Sequence, residues 1–312
     1  TLFRSNVGSW GFARGGMGSV AAALSSSFLS FGGTIRKSSE VKKIIVSNQT
    51  ATGVELVSGE IINAKAIISN LDAKRTFLKI IDESDLPEDI VKRAKNFKIR
   101  GSSGKVNIAL DGMPIFPALP EKSPLTLGHM HFSDTLERLE RAYDDWKDDR
   151  WSSDPYVDMV IPTQYDPTMA PPGKHMMSVF VQYCPVSPEG GWDDKKKKAF
   201  GDTVINQIGD YSPNFKDLIL HAEIRTPHEI EKEVGLTEGN IFQGELTLDQ
   251  LMFNRPFPGY AQYRGPLKRM YMCSSSNHPG GGVMGAPGAN AAREILRDFK
   301  RKNTTPEDFG DD

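Results

Sequence analysis

A short apolar run, Met270, Tyr271, Met272 and Cys273, breaks into three serines, Asn277, His278 and Pro279. Three consecutive glycines follow, Gly280, Gly281 and Gly282, before a helical pattern carried by Ala289, Ala292, Ile295 and Leu296. The order is buried strand, glycine loop, helix. Glycines at such a junction let the backbone approach another molecule closely. The unpaired N–H groups of the helix's first turn, with the aligned peptide dipoles, favour partial negative charge there. A chain built around this junction folds as an α/β structure with room for an electron-rich group at the loop.

At 312 residues the chain is long enough to bury a large core and to divide into two domains. Its net charge of −2 gives no global basic field, so no nucleic-acid partner is expected. The two cysteines, Cys184 and Cys273, make no disulfide framework and match no zinc spacing, which fits a reducing compartment. No apolar run approaches the ~18 residues that suggest a membrane span. Arg4, Arg14 and many serines precede the first acidic residue, Glu40, as in a transit or signal peptide. Against that reading, Val20, Leu24, Phe28 and Phe31 fall on one helical face, as expected of a mature helix packing on a sheet.

Gly16-x-Gly18-x-x-Ala21 formally satisfies the dinucleotide fingerprint, and Glu40 lies about twenty residues on. The fingerprint needs a buried strand feeding its first glycine, and Gly11, Phe12, Ala13, Arg14 and Gly15 are not one. A glycine-rich helix start beside a ligand is the better reading. From Thr34 the pattern turns β: Val41, Ile44 and Val46, then Val54, Leu56 and Val57, then Ile61 and Ile62, with a return through Ile67 and Ile68. The texture changes after Asp72. Helices are expected over 87–98, 134–149, 193–207 and 227–234, with strands over 105–110, 156–161 and 175–183. The basic run 195–198 follows Asp193 and Asp194, so it reads as a solvated helix face, with weak membrane-surface contact as the lesser alternative. Residues 303–312 form a polar, acidic tail expected to be disordered.

Residues 268–296 resemble, almost residue for residue, the C-terminal flavin-contacting motif of the phytoene desaturase-like FAD-dependent oxidoreductases. Within that family the chain is most similar to the pyridine nucleotide-disulfide oxidoreductase domain-containing 2 group. The resemblance implies that His278, Pro279, Gly280, Gly281 and Gly282 lie beside the flavin, and that the helix start at Val283, Met284 and Gly285 points at the pyrimidine edge of its ring. Gly15, Gly16, Met17 and Gly18 match a glycine-rich helix start of the flavin fold. Val41 matches a position whose backbone often contacts the adenine, although an ordinary core valine reads equally well there. The fold implied is an incomplete FAD/NAD(P)-binding, glutathione-reductase-like α/β domain plus a mixed-sheet α+β substrate domain. Boundaries are expected at 1–70, 71–265 and 266–302.

The resemblance covers nearly the whole chain, most densely 8–78 and 239–297, but it lacks the N-terminal strand, Gly-x-Gly-x-x-Gly turn and ribose-binding acid. This implies a C-terminal portion that by itself binds FAD weakly or not at all and does not turn over. The implied reaction is hydride transfer from a hydrophobic substrate to flavin. His278 could hydrogen-bond near the ring or merely cap the loop, and Glu245 and Tyr260 are weaker candidates for the substrate side. The implied compartment is cytoplasmic in a bacterium, with or without membrane association, or mitochondrial in a eukaryote.

Two rivals stand beside this reading. A non-enzymatic scaffold would keep the same glycines for packing alone. A metal hydrolase would use His129-x-His131 with Asp134, but no third histidine lies close in sequence and no metal site is expected. No Gly-x-Ser-x-Gly elbow, Walker loop or local Cys–His pair supports a hydrolase.

Overall fold

The computed structural model describes residues 11–120, 123–132 and 135–301. Contacts divide the chain into two units, one built from residues 34–100 and 240–301 and the other from 11–33 and 101–239. The expected boundaries lay instead at 70/71 and 265/266, and the expected tail, 303–312, lies outside the described residues.

The chain opens with α1 (Gly18–Ser30), which has no buried residue. Leu24 and Phe28 are more than half exposed and Phe31 is 88% exposed, so the apolar face expected to pack on a sheet meets none in its own unit. A meander follows: β1 (Val41–Ser47), β2 (Thr50–Leu56) and β3 (Ile61–Asn63), antiparallel in that order. Asn48 and Gln49 make the first turn with positive φ, which Asn tolerates by hydrogen-bonding locally. The last short strand, β4 (Ile67–Ser69), leaves the meander and pairs in parallel with β10 (Met270–Met272), some two hundred residues later.

Between them α2 (Ala73–Leu78) and α3 (Glu88–Asn96) close the core of the first unit. Asp72 caps α2, accepting from the Arg75 N–H at 2.9 Å. Ile90, Val91 and Ala94 of α3 are buried at helical spacing with Phe77, Phe97 and Phe257. The Phe257 ring meets Phe97 edge-on at 5.9 Å and Phe77 tilted at 5.7 Å. This explains why the 71–100 stretch belongs with the first unit: its apolar face completes the core of the meander and β10.

The second unit carries one sheet in the order β6 (Met130–His131), β7 (Tyr156–Val160), β8 (His175–Gln182), β5 (Ser103–Leu110) and β9 (Ile219–Arg225), antiparallel throughout. Alternation sets its two faces. Val106, Ile108, Val157, Met159, Met177, Val179 and Val181 are buried with Phe200, Val204 and Ile208 of α5 (Asp194–Tyr211). Lys105, Asn107, Asp158, Ser178 and Phe180 alternate onto the opposite, half-buried face. Two further helices, α4 (Leu136–Lys147) and α6 (Pro227–Val234), complete this unit, the second with a Thr226/Glu229 capping box. The strand β9 was not expected: Ile219, Leu220, His221, Ala222 and Glu223 alternate too weakly to read as one. The final helix, α7 (Ala286–Arg301), returns to the first unit.

Candidate functional site

The strand–loop–helix order read from residues 270–296 is present, and the first unit builds it from four segments. Strand β10 is wholly buried. Directly after it, the Cys273 N–H donates to Ser69 O at 2.9 Å, which prolongs the parallel pairing with β4. Ser276 then anchors the loop: its Oγ accepts from the Ala73 N–H at 3.0 Å and donates to the Gln243 carbonyl. Gln243 reciprocates through its side chain, whose Oε1 accepts from the Ser275 N–H at 2.8 Å. The Asn277 N–H donates to Ser274 O and the Gly280 N–H to Asn277 O, curling the backbone between them. Tyr263 donates its hydroxyl to the His278 carbonyl at 2.8 Å, and Asn290 of α7 donates its Nδ2 to that Tyr263 oxygen at 2.9 Å. Loop and helix are therefore joined through one tyrosine.

The glycines have separate reasons. Gly280 and Gly282 lie at φ +92 and +118, a region L residues rarely enter. Gly281 has an ordinary φ, but a Cβ there would lie 2.8 Å from the Phe242 ring, so it permits close packing. Among the described residues, the backbone N–H groups of Gly281, Gly282, Val283 and Met284 donate no hydrogen bond. The helix proper begins at Ala286, and Gly285 at φ +63 forms its entrance. Of the residues that carried the expected helical pattern, Ala289, Ala292 and Leu296 are exposed, and the buried line is Pro287, Ala291 and half-buried Ile295 and Asp298. Polar ties set this rotation: the Arg264 guanidinium donates to both Asp298 oxygens at 2.9 and 2.6 Å and to Glu294 at 3.1 Å. The Tyr271 hydroxyl of β10 donates to Asp298 at 3.0 Å, and burial, with that bond, holds its pKa well above the ordinary phenol range.

Two groups at this loop are unusual. Asn277 is fully buried, yet neither its Nδ2 nor its Oδ1 has a hydrogen-bond partner among the described residues. Arg255 is also fully buried and carries no carboxylate partner among them. Its N–H groups all end on backbone carbonyls: Nε on Ser275, one terminal nitrogen on Glu245 and Gln250, the other on Phe242 and Gly244, at 2.9 to 3.3 Å. Burial pushes its pKa down to about 10, so it stays protonated at neutral pH.

The remaining expected residues are distributed differently. The His278 side chain is exposed, and the loop is held through its backbone carbonyl. Glu245 contributes backbone atoms, donating its N–H to Lys98 O and accepting from Arg255. Tyr260 is half-buried against the first unit's core. Val41 is half-buried on β1, opposite Leu56, in a different sheet from β10. Gly15, Gly16 and Met17 belong to the second unit, where the Gly15 N–H donates to Asp166 and Gly16 lies against Met169.

The second unit contains an open-sided pocket of about 530 Å³ lined mainly by Ile115, Phe116, Leu119 and Leu127, with Ser123, Thr126, Gln164 and His175 as polar members. Thr163 Oγ1 lies 2.9 Å from His175 Nδ1 and fixes that ring's orientation. His129 Nδ1 sits 3.0 Å from Asp158; Asp134 lies outside the described residues. Among the described residues no group of three or more His, Cys, Asp or Glu side chains is placed to hold a metal. Burial raises the pKa of both thiols, Cys184 and Cys273, so neither is an activated nucleophile. No helix of the described residues is long and apolar enough to cross a membrane.

Sequence reasoning found the loop but missed Arg255, Gln243, Asn277 and Tyr263. Arg255 sits in an Arg-Pro-Phe-Pro-Gly-Tyr run that gives no residue a role of its own in the sequence, and only the fold reveals the arginine as buried.

No family model matches the chain. It is 38% identical over 303 residues to pyridine nucleotide-disulfide oxidoreductase domain-containing protein 2 of Rattus norvegicus, covering 94% of this chain and 52% of that protein. It is 24% identical over 303 residues to prolycopene isomerase 2, chloroplastic, of an Oncidium hybrid cultivar, covering 94% of this chain and 47% of the relative. An oxidoreductase from Methanosarcina mazei shares the fold, with a TM-score of 0.54 at 17% identity over 91% of this chain and 55% of that one. The fold class is that of the oxidoreductase structures, an α/β unit with a second unit built on an antiparallel sheet. Within that class, the chain is a relative of the phytoene desaturase-like family, as its sequence motifs indicate. It spans about half the length of the curated relatives it matches.

Proposed function

We propose that this chain is the C-terminal portion of an FAD-dependent oxidoreductase that removes a hydride from a hydrophobic substrate, and that the 312 residues alone are inactive. The observation that carries this reading is the loop at 274–285. It is held by hydrogen bonds from three other segments, through the Gln243 and Tyr263 side chains and the Ala73 backbone N–H, presents unused backbone N–H groups, and buries an Asn277 amide with no partner among the described residues. Such orphaned groups cost ~1–3 kcal/mol each when nothing meets them. A polar ligand edge carrying both donors and acceptors fits them.

FAD would supply the hydride acceptor. The chain's own residues would bind and orient. The N–H groups of Gly281, Gly282, Val283 and Met284 would donate toward negative charge developing at the ring's pyrimidine edge, reinforced by the dipole of α7. Gly280 and Gly282 permit the backbone path that aims them. Gly15, Gly16, Met17 and Val41 are proposed as further cofactor contacts, and Glu245, Tyr260 and His278 as candidates on the substrate side. The largely apolar lining of the second unit's pocket supports a hydrophobic small-molecule substrate. No nucleic-acid partner is proposed. The proposed location is cytoplasmic in a bacterium, with or without membrane association, or mitochondrial in a eukaryote.

A second reading, a scaffold that keeps the fold without redox chemistry, is favoured by one observation: Gly281 is already required by the Phe242 ring. Purification with added FAD separates the two. A whole protein that retains flavin supports the oxidoreductase, and one that purifies colourless supports the scaffold.

A further inference from the structure

Arg255 is the one fully buried arginine among the described residues, and its surroundings are unlike those of an ordinary ion pair. A guanidinium has five N–H donors. Here each of them ends on a main-chain carbonyl: Ser275, Glu245, Gln250, Phe242 or Gly244. The carbonyls satisfy the hydrogens but do not neutralise the charge. A net positive charge is therefore fixed in a low-dielectric site, where its field is screened far less than in water.

The charge is also well placed. Its Nε donates to the Ser275 carbonyl at 2.9 Å, and it lies 3.6 Å from where a Cβ on Gly280 would stand. The same side chain reaches the 242–250 segment, whose Gln243 holds Ser275 and Ser276. One residue thus ties together both backbone segments that form the loop. A cation kept for stability alone would be expected to face a carboxylate, because an uncompensated buried charge is costly.

We propose that Arg255 is a positioning residue for the proposed flavin site. It would hold residues 274–282 in their cofactor-facing shape. The fixed positive charge beneath the loop would favour the two-electron-reduced cofactor over the oxidised one. This rests on the reading that the loop contacts a flavin. It adds a charge to the backbone N–H groups already assigned there, and it explains why no carboxylate partner meets Arg255 among the described residues.

The test uses Arg255→Met and Arg255→Lys in the whole protein purified with FAD, with amide exchange of 274–282 measured in the same samples. Arg255→Met should speed loop exchange at least tenfold. It should also weaken the preference for reduced over oxidised FAD about tenfold, which lowers the two-electron potential by ~30 mV. Arg255→Lys keeps a cation but loses the fork, so it should speed loop exchange while leaving that preference within about threefold. If Arg255→Met does not fold, the lysine variant decides alone: unchanged exchange overturns the positioning role, and a tenfold shift in preference overturns the charge role. A flavin-bound Arg255→Met protein with wild-type potential and exchange overturns this inference and leaves the proposed function standing. A wild-type whole protein without flavin overturns that function and the charge role together, while loop exchange still decides the positioning role.

Discussion

Asn277 states the residue-scale problem most sharply. Its amide is buried with donor and acceptor both unpaired among the described residues, so removing it breaks no hydrogen bond made there. Asn277→Ala should therefore leave the 312-residue chain as stable as the wild type or more stable in denaturant unfolding, because it relieves an orphaned buried amide, whereas losing a satisfied buried polar group would destabilise it. In the whole protein the same substitution should weaken FAD retention by at least tenfold. Asp166 offers a second test, through pH. The Gly15 N–H, then the Thr168 hydroxyl, hold its carboxyl below the ordinary carboxylate range, so folding favours the ionised form. That stabilisation is complete above the ordinary value of ~3.9 and is lost as pH falls through the lower folded value. Protection of the Gly15 amide against exchange should fall across that acid window, and Asp166→Asn should show the same loss at neutral pH. Wild-type protection in Asp166→Asn would contradict the assignment.

At the scale of elements, α7 is positioned by charge as much as by apolar contact. Arg264 and Tyr271 both converge on Asp298, two turns beyond the buried Ala291. Asp298→Ala should cost about 1–2 kcal/mol, discounted because Arg264 is partly exposed, and should appear as a lower Tm. The sequence made the presence of α7 plain, since Ala289, Ala292, Ile295 and Leu296 repeat at helical spacing. Its rotation was not legible, because Asp298 reads as a solvent-facing residue until Arg264 is seen opposite. Strand β10 was legible as an apolar run, but its partner β4 lies some two hundred residues away and no local pattern announces that pairing. The meander could be read throughout, because alternation and the Asn48–Gln49 turn are local signals. The apolar stripe of α1 was legible as well, yet periodicity identifies an apolar face without saying what covers it.

Over the whole molecule, the two units show how far local pattern reaches. The α+β character of the second unit was expected, but its sheet is antiparallel throughout rather than mixed, and the unit boundary was placed too early, because 71–100 looks like the opening of a new domain while its side chains fill the first unit's core. The glycine loop was recognised because backbone geometry demands particular residue types. The groups that hold it, Arg255, Gln243 and Tyr263, are ordinary residues made special only by the fold. The central claim, that residues 274–285 form part of a flavin site, is tested most directly by visible absorption. The whole protein and the 312-residue chain would each be purified with added FAD. The oxidoreductase reading predicts the two bands of bound oxidised flavin in the whole protein and little or none in the 312-residue chain. A colourless whole protein would contradict it and leave the loop as packing alone.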